Sequence, residues 1–263
     1  MNAFWLEFTI LFVATLIGGA AVLPYGLEIL KSSAEKKPLK MSMPKLILLS
    51  LLQTAVVFAV VTGLGLFLAH AVGLGAPYIE AFIGHTTPPA IVPMLAMGIT
   101  IGVVGGALLM LVDVIFLPHL PKVLVDSGRK TSALQNFAAS FYGGINEEIL
   151  MRLLGLSLIA WVLSRVWHTG AGLPTQAGFW VANVTMAAIF GLGHLPATKK
   201  ITGSITPLLV GRALFLNGVI GLACGWLFFH YGIEAAIIAH FSADIIYHVG
   251  GTFALRLYPA TGE

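Results

Sequence analysis

The stretch Ile145-Asn146-Glu147-Glu148-Ile149-Leu150-Met151-Arg152-Leu153-Leu154 sets two adjacent acids and a base into an apolar run that continues to Val166. Eleven Leu, Ile and Val residues stand between positions 145 and 166. On insertion scales each central charge costs about 3 kcal/mol, whereas those apolar side chains together return only roughly 5 to 6 kcal/mol. A helix with three such charges cannot stand alone in lipid. It needs an interface, or a bundle that supplies partners, and ionisable groups kept at that cost mark a site. Helical spacing sorts the charges. Glu148 and Arg152 are i and i+4 with the acid first, the favourable ion-pair order. They suit a self-neutralising pair that locks the helix to its neighbours as well as they suit a chemical role. Glu147 lies about 100° around the helix with no such partner, and is the group left free for chemistry.

The rest of the chain supplies the bundle. Of its 263 residues 58% are hydrophobic and 10% charged, with mean hydropathy +0.94, and the apolar runs exclude a soluble domain. The expected class is an all-α, polytopic bundle of about seven spans, over residues 4–30, 46–72, 91–117, 145–167, 178–195, 208–229 and 233–249. The first run has no basic lead and carries Glu7, so it reads as a retained span and not a cleaved signal. Residues 132–142 suit a short interfacial helix, broken from the Glu147 helix by Gly143-Gly144. Lys31, Lys36, Lys37, Lys40 and Lys45 follow the first span; Lys122, Arg129 and Lys130 follow the third; Lys199 and Lys200 follow the fifth. The positive-inside rule places these loops in the cytoplasm, the N-terminus outside and the C-terminus inside.

Other features have plain readings. A net charge of +3 gives no argument for nucleic acid. The single cysteine, Cys224, excludes a disulfide framework and reads as a small buried hydrophobe. Gly98, Gly102 and Gly106 at four-residue spacing are a helix-packing signal. Asp113 reads as a snorkelling or interfacial acid and Asn217 as packing glue within the bundle. His70, His85, His119, His168, His230 and His248 fall near span ends or in loops and read as interfacial.

Two further spans carry polar residues at helical spacing, Phe190-x-x-x-His194 and His240-x-x-x-Asp244. A lone histidine in an apolar helix is usually a hydrogen-bonded packing residue. Three helices that put Glu147, His194 and His240 at similar depth instead predict one shared cavity in the cytoplasmic half.

The ordered set Glu147-Glu148-x-x-x-Arg152, Phe190-x-x-x-His194 and His240-x-x-x-Asp244 resembles the motifs of the CPBP intramembrane proteases, which include type II CAAX prenyl endopeptidases and bacterial Abi-type proteins. Gly221-x-x-x-Gly225 through Tyr231-Gly232 to His240 is similar to that family's penultimate-helix pattern. The resemblance divides one membrane domain, 1–263, into N-terminal spans over 1–133 and a CPBP-like catalytic core over 134–250. It implies an endopeptidase of a prokaryotic cytoplasmic membrane, acting on a membrane-associated peptide or protein, with lipid as its other partner. Water would be activated by Glu147 and positioned with His194 and His240. A carboxylate in a partly apolar pocket is a competent base, and a histidine donor can stabilise an oxyanion. The cofactor is either none or a divalent metal held by Glu147, His194 and His240. The metal-free form is favoured, because no His-Glu-x-x-His helix is present. The chain departs from the eukaryotic enzymes at Asp244, where they have asparagine; an acid there is expected to accept a hydrogen bond from His240 and orient it. Two other classes remain open: a proton-coupled transporter, since buried acids and histidines also relay protons, and a non-catalytic scaffold or immunity protein.

Overall fold

A backbone inside hydrocarbon must satisfy its polar groups within one segment, so the apolar runs fold as helices. The structure, a computed structural model, describes residues 3–34 and 41–257. Lys36, Lys37 and Lys40 of the expected basic loop lie outside the described residues. Helices α1 (Ala3–Ala34), α2 (Met43–Ala71), α3 (Pro77–Ile83), α4 (Ile91–Phe116) and α5 (Lys122–Lys130) form the N-terminal part. There follow α6 (Ala133–Phe141), α7 (Ser157–Ser164), α8 (Gln176–Gly193), α9 (Leu195–Thr202), α10 (Pro207–Tyr231), α11 (Ile233–Asp244) and α12 (Gly251–Leu257). No β-strand occurs among the described residues. The fold is the expected all-α membrane bundle, and this is an integral membrane protein.

Among the described residues five segments are long and apolar enough to cross a bilayer: Ala3–Pro24, Met43–Ala71, Ile91–His119, Gln176–Thr202 and Pro207–Tyr231. At about 1.5 Å of rise per residue each exceeds a hydrocarbon core of roughly 30 Å. Leu48, Val56, Val60 and Phe67 on α2, with Val104, Leu108 and Leu111 on α4, are exposed on the outside of the bundle. Lipid is the solvent for that surface.

The other two expected spans are built differently. From α6 the chain runs helically through π-helical turns at Tyr142–Glu147 and Ile149–Leu156 into α7. Ser132 starts the run with a capping box, its hydroxyl accepting from Gln135 N while the Gln135 side chain accepts from Ser132 N. Gly143-Gly144 therefore does not break the chain ahead of Glu147. A Cβ on Gly143 would meet Asp244 Oδ2, and one on Gly144 would stand 2.9 Å from Phe241 Cβ. The pair admits α11 against the backbone. Residues 233–257 likewise pass from α11 through π-helical turns at Ile245–Gly250 into α12. Such widened turns recur at functional sites, and both stretches border the same one.

What seats α11 is α4. Gly98, Gly102 and Gly106 are buried, and a Cβ on them would meet Ala235 O, Ala239 O and Ala243 O of α11. The tight turn that feeds α11 is made at Gly232, whose φ of +91° is open to glycine but costly for other residues. Asp113 does not snorkel. Arg212 Nε and Nη2 donate to its two carboxylate oxygens at 2.6 and 2.7 Å, and Tyr247 Oη donates to it at 2.7 Å. This two-pronged pair fastens α4 to α10 and to the π-helical turns after α11. Asn217 Nδ2 donates to the Ala213 carbonyl of its own helix, whereas Asn183 reaches from α8 to Leu222 O of α10.

Gly102→Val should force α4 away from α11 and cost about 1–3 kcal/mol of stability. Gly105→Ala, whose added Cβ would sit 3.6 Å from Ile220 Cδ1, should be near neutral. Thermal unfolding of the two variants in one detergent checks the contrast.

Candidate active site

The expected residues gather around His240 of α11. Glu148 is fully buried and works on two sides: its Oε1 accepts from His240 Nδ1–H at 2.6 Å and lies 2.8 Å from Arg152 Nη1. Arg152 is equally enclosed. Its Nη2 donates to the Gly221 carbonyl of α10 at 2.8 Å, and its guanidinium stands over the Phe190 ring of α8, 5.1 Å from the centroid. The i, i+4 pair read from the sequence is thus present, and it also carries the imidazole. Three helical segments and a histidine are tied through one carboxylate.

Because Nδ1 of His240 is taken by Glu148, Nε2 is the atom turned to the site. It lies 4.0 Å from Glu147 Oε2 and 3.7 Å from Asp244 Oδ1. Asp244 Oδ1 is also 3.7 Å from His248 Nε2. The hydrogen bond expected from Asp244 to orient His240 therefore comes from Glu148; Asp244 stands beside the reacting edge of the ring, beyond hydrogen-bond length. His194 closes α8. Its Nδ1 donates to Phe190 O at 2.8 Å, and Phe190 sets its edge against both histidines, with centroids 4.8 Å from His194 and 5.7 Å from His240. Burial is graded across the group: the side chain of Glu148 is 0% exposed, Asp244 15%, Glu147 25% and His248 51%. Glu148 and Arg152 form the sealed floor, and Glu147, Asp244 and His248 open toward solvent.

Metal ligation is a question of which donor atoms are free. Among the described residues Glu147, His194 and His240 are not gathered within 4.8 Å of one another; the three that are here are Glu148, Cys224 and His240. Glu148 Oε1 takes both the His240 proton and the Arg152 guanidinium, whereas Glu148 Oε2 is buried without a hydrogen-bond partner.

Three contributors escaped the sequence reading. Cys224 is buried as expected, yet it lies against the Glu148 carboxylate and His240 and is part of the floor. Asn146, beside Glu147, donates from Nδ2 to Thr15 O of α1 at 3.0 Å, and a Cβ on Gly18 would meet its Oδ1. The Gly221 carbonyl holds Arg152. The adjacency of an amide to the paired acids was the one available signal; the rest are long-range contacts that no local pattern encodes.

Comparison with known proteins agrees with this geometry. A family model described as type II CAAX prenyl endopeptidase Rce1-like matches residues 129–246. No curated protein and no solved structure matches the chain. The matched segment holds Glu147, Glu148, Arg152, Phe190, His194, His240 and Asp244, and over that part of its length the chain is similar to the type II CAAX prenyl endopeptidases.

Proposed function

We propose that the protein hydrolyses a peptide bond of a membrane-associated substrate, with water activated by Glu147 and no metal in the reaction. The observation that carries this reading is the placement of Glu147 Oε2, His240 Nε2 and Asp244 Oδ1 around one point, with Nε2 4.0 and 3.7 Å from the two acids. The gap to Glu147 is too long for a direct hydrogen bond, and both groups can bond one water. Glu147 takes a proton from that water as its oxygen forms a bond to the scissile carbonyl carbon. The carbonyl becomes an oxyanion, to which His240 as an imidazolium donates from Nε2, with His194 close by. The C–N bond then breaks and the proton on Glu147 passes to the leaving amine. Glu148 and Arg152 keep the imidazole in one orientation. Asp244 Oδ1 stands beside both rings, 3.7 Å from Nε2 of His240 and of His248.

A cavity of about 280 Å³, lined by Asp113, Arg212, Tyr247 and His248 and by apolar residues such as Met110, Leu117 and Leu124, meets this group at His248, whose Nε2 is 3.7 Å from Asp244 Oδ1. It suits an apolar substrate segment or a prenyl chain of the kind the family name describes. Lys122, Arg129, Lys130, Lys199 and Lys200 lie on α5 and α9, which pack together, so we infer that this end faces the cytoplasm. Cleavage then takes place in the cytoplasmic half.

Glu147→Gln should abolish cleavage of a lipid-embedded peptide library while leaving the melting temperature unchanged. Glu148→Gln should cost about 3–5 kcal/mol of stability, since it strips a buried guanidinium of its counter-charge. Cleavage and thermal unfolding measured on the same samples separate the two. Equal stability losses would remove Glu147 from the chemistry. Asp244→Asn should retain activity, because the hydrogen bond that orients His240 is not its own; loss of cleavage with an intact fold would give Asp244 a direct part.

A further inference from the structure

A second cluster of titratable side chains lies at the other end of the bundle, on elements outside the matched family segment. His70, in the last turn of α2, points Nε2 at two carboxylates: Glu7 Oε2 of α1 at 3.2 Å and Glu80 Oε1 of α3 at 3.6 Å. The three donor atoms lie within 4.8 Å of one another. Glu7 is 3% exposed, and its second oxygen, Oε1, is buried with no hydrogen-bond partner. One imidazole nitrogen carries at most one proton, so it cannot satisfy two carboxylates and leave no oxygen bare. A buried carboxylate oxygen without a partner is costly, and this one borders the cluster.

The spacing matches a different occupant. Zinc bonds of about 2.0–2.2 Å in a tetrahedron put ligand atoms roughly 3.3–3.6 Å apart, the separations that Nε2 makes with Glu7 and Glu80. The backbone is shaped to leave that point open: a Cβ on Gly75 would meet Glu80 Oε1 and stand 3.3 Å from the His70 ring. His70 and Glu80 also line a cavity of about 650 Å³, bounded on its far side by Tyr78, His230 and Tyr231. An ion could enter there and keep a water in its fourth position. Here, unlike around Glu148, no arginine occupies the carboxylates in the contacts that join them. Glu80 does accept from Ala76 N at 3.0 Å, which fixes the carboxylate without neutralising it.

We propose that Glu7, His70 and Glu80 form a binding site for a divalent cation of the zinc type, held at the mouth of this cavity. The site joins α1, α2 and α3. It sits eight to eleven residues up α1 from Thr15 and Gly18, which touch Asn146, or roughly 12–16 Å along the helix axis. It is therefore distinct from the catalytic cluster, and it does not depend on the protease reading.

The test uses the full-length protein in detergent, with cobalt(II) as a spectroscopic probe and zinc as competitor. Wild type should bind one equivalent of cobalt with the absorption bands of a four-coordinate N/O site, lose them on addition of zinc, and melt at higher temperature with zinc present. Glu7→Gln and Glu80→Gln should each weaken binding by more than about tenfold, the loss seen when even an outer partner of a ligand is removed. Glu80 is half exposed, so its variant keeps the test alive if Glu7→Gln fails to fold. Glu147→Gln should bind cobalt as wild type does. Absence of cobalt binding in wild type would overturn the proposal and leave the cluster a proton-linked ion pair. So would binding that survives Glu80→Gln and is lost in Glu147→Gln, which would move the metal to the catalytic cluster.

Discussion

One buried carboxylate holds the candidate site of this molecule together. Glu148 holds Arg152 on one side and His240 on the other, and neither could be kept charged or oriented in a membrane interior without it. Its position is bought by the packing around it: Gly221 offers a carbonyl to the guanidinium, Phe190 its ring face, and Gly143 and Gly144 let α11 come close enough for the imidazole to arrive. Once Nδ1 of His240 is committed, the chemistry of the ring is confined to Nε2, and the acids that face that atom are fixed by the same helix contacts.

The carboxylates of the paired acids illustrate how a division of labour follows from a one-residue step. Glu147 and Glu148 are the same chemical group, yet one is sealed against an arginine and the other is a quarter exposed beside a histidine nitrogen. Burial and partners set the roles. Asp244 makes the converse point, for a residue whose spacing from His240 suggested an intrahelical hydrogen bond turned out to stand at 3.7 Å while a residue 92 positions away made the bond.

Much of this was legible in the sequence because membrane folding leaves few choices. Apolar runs fixed the helical class, and the i, i+4 spacing of Glu148 and Arg152 gave their ion pair before any coordinates. What escaped was whatever depends on contacts between distant segments. Asp113 looked like an interfacial acid because its partner Arg212 is 99 residues on. Hydropathy predicts two plain spans around the site, whereas both pass through π-helical turns that hydropathy does not register. Gly143-Gly144 was read by local propensity as a break; tertiary contact with α11 made it a point of close approach.

The hydrogen bond from Asn146 to Thr15 carries a lesson about modularity. The family-matched segment, residues 129–246, contains all the residues of the candidate site but not the surfaces that enclose it. Its Asn146 amide rests on α1, the chain carrying Leu153 packs against Gly65 of α2, and α11 lies in the glycine groove of α4. Excised from the first 128 residues, the segment would present an amide and three helix faces to lipid tails that cannot replace those contacts. The spans outside the matched segment thus supply the surfaces on which the helices of the candidate site lean, narrow at Gly18, Gly65, Gly98, Gly102 and Gly106.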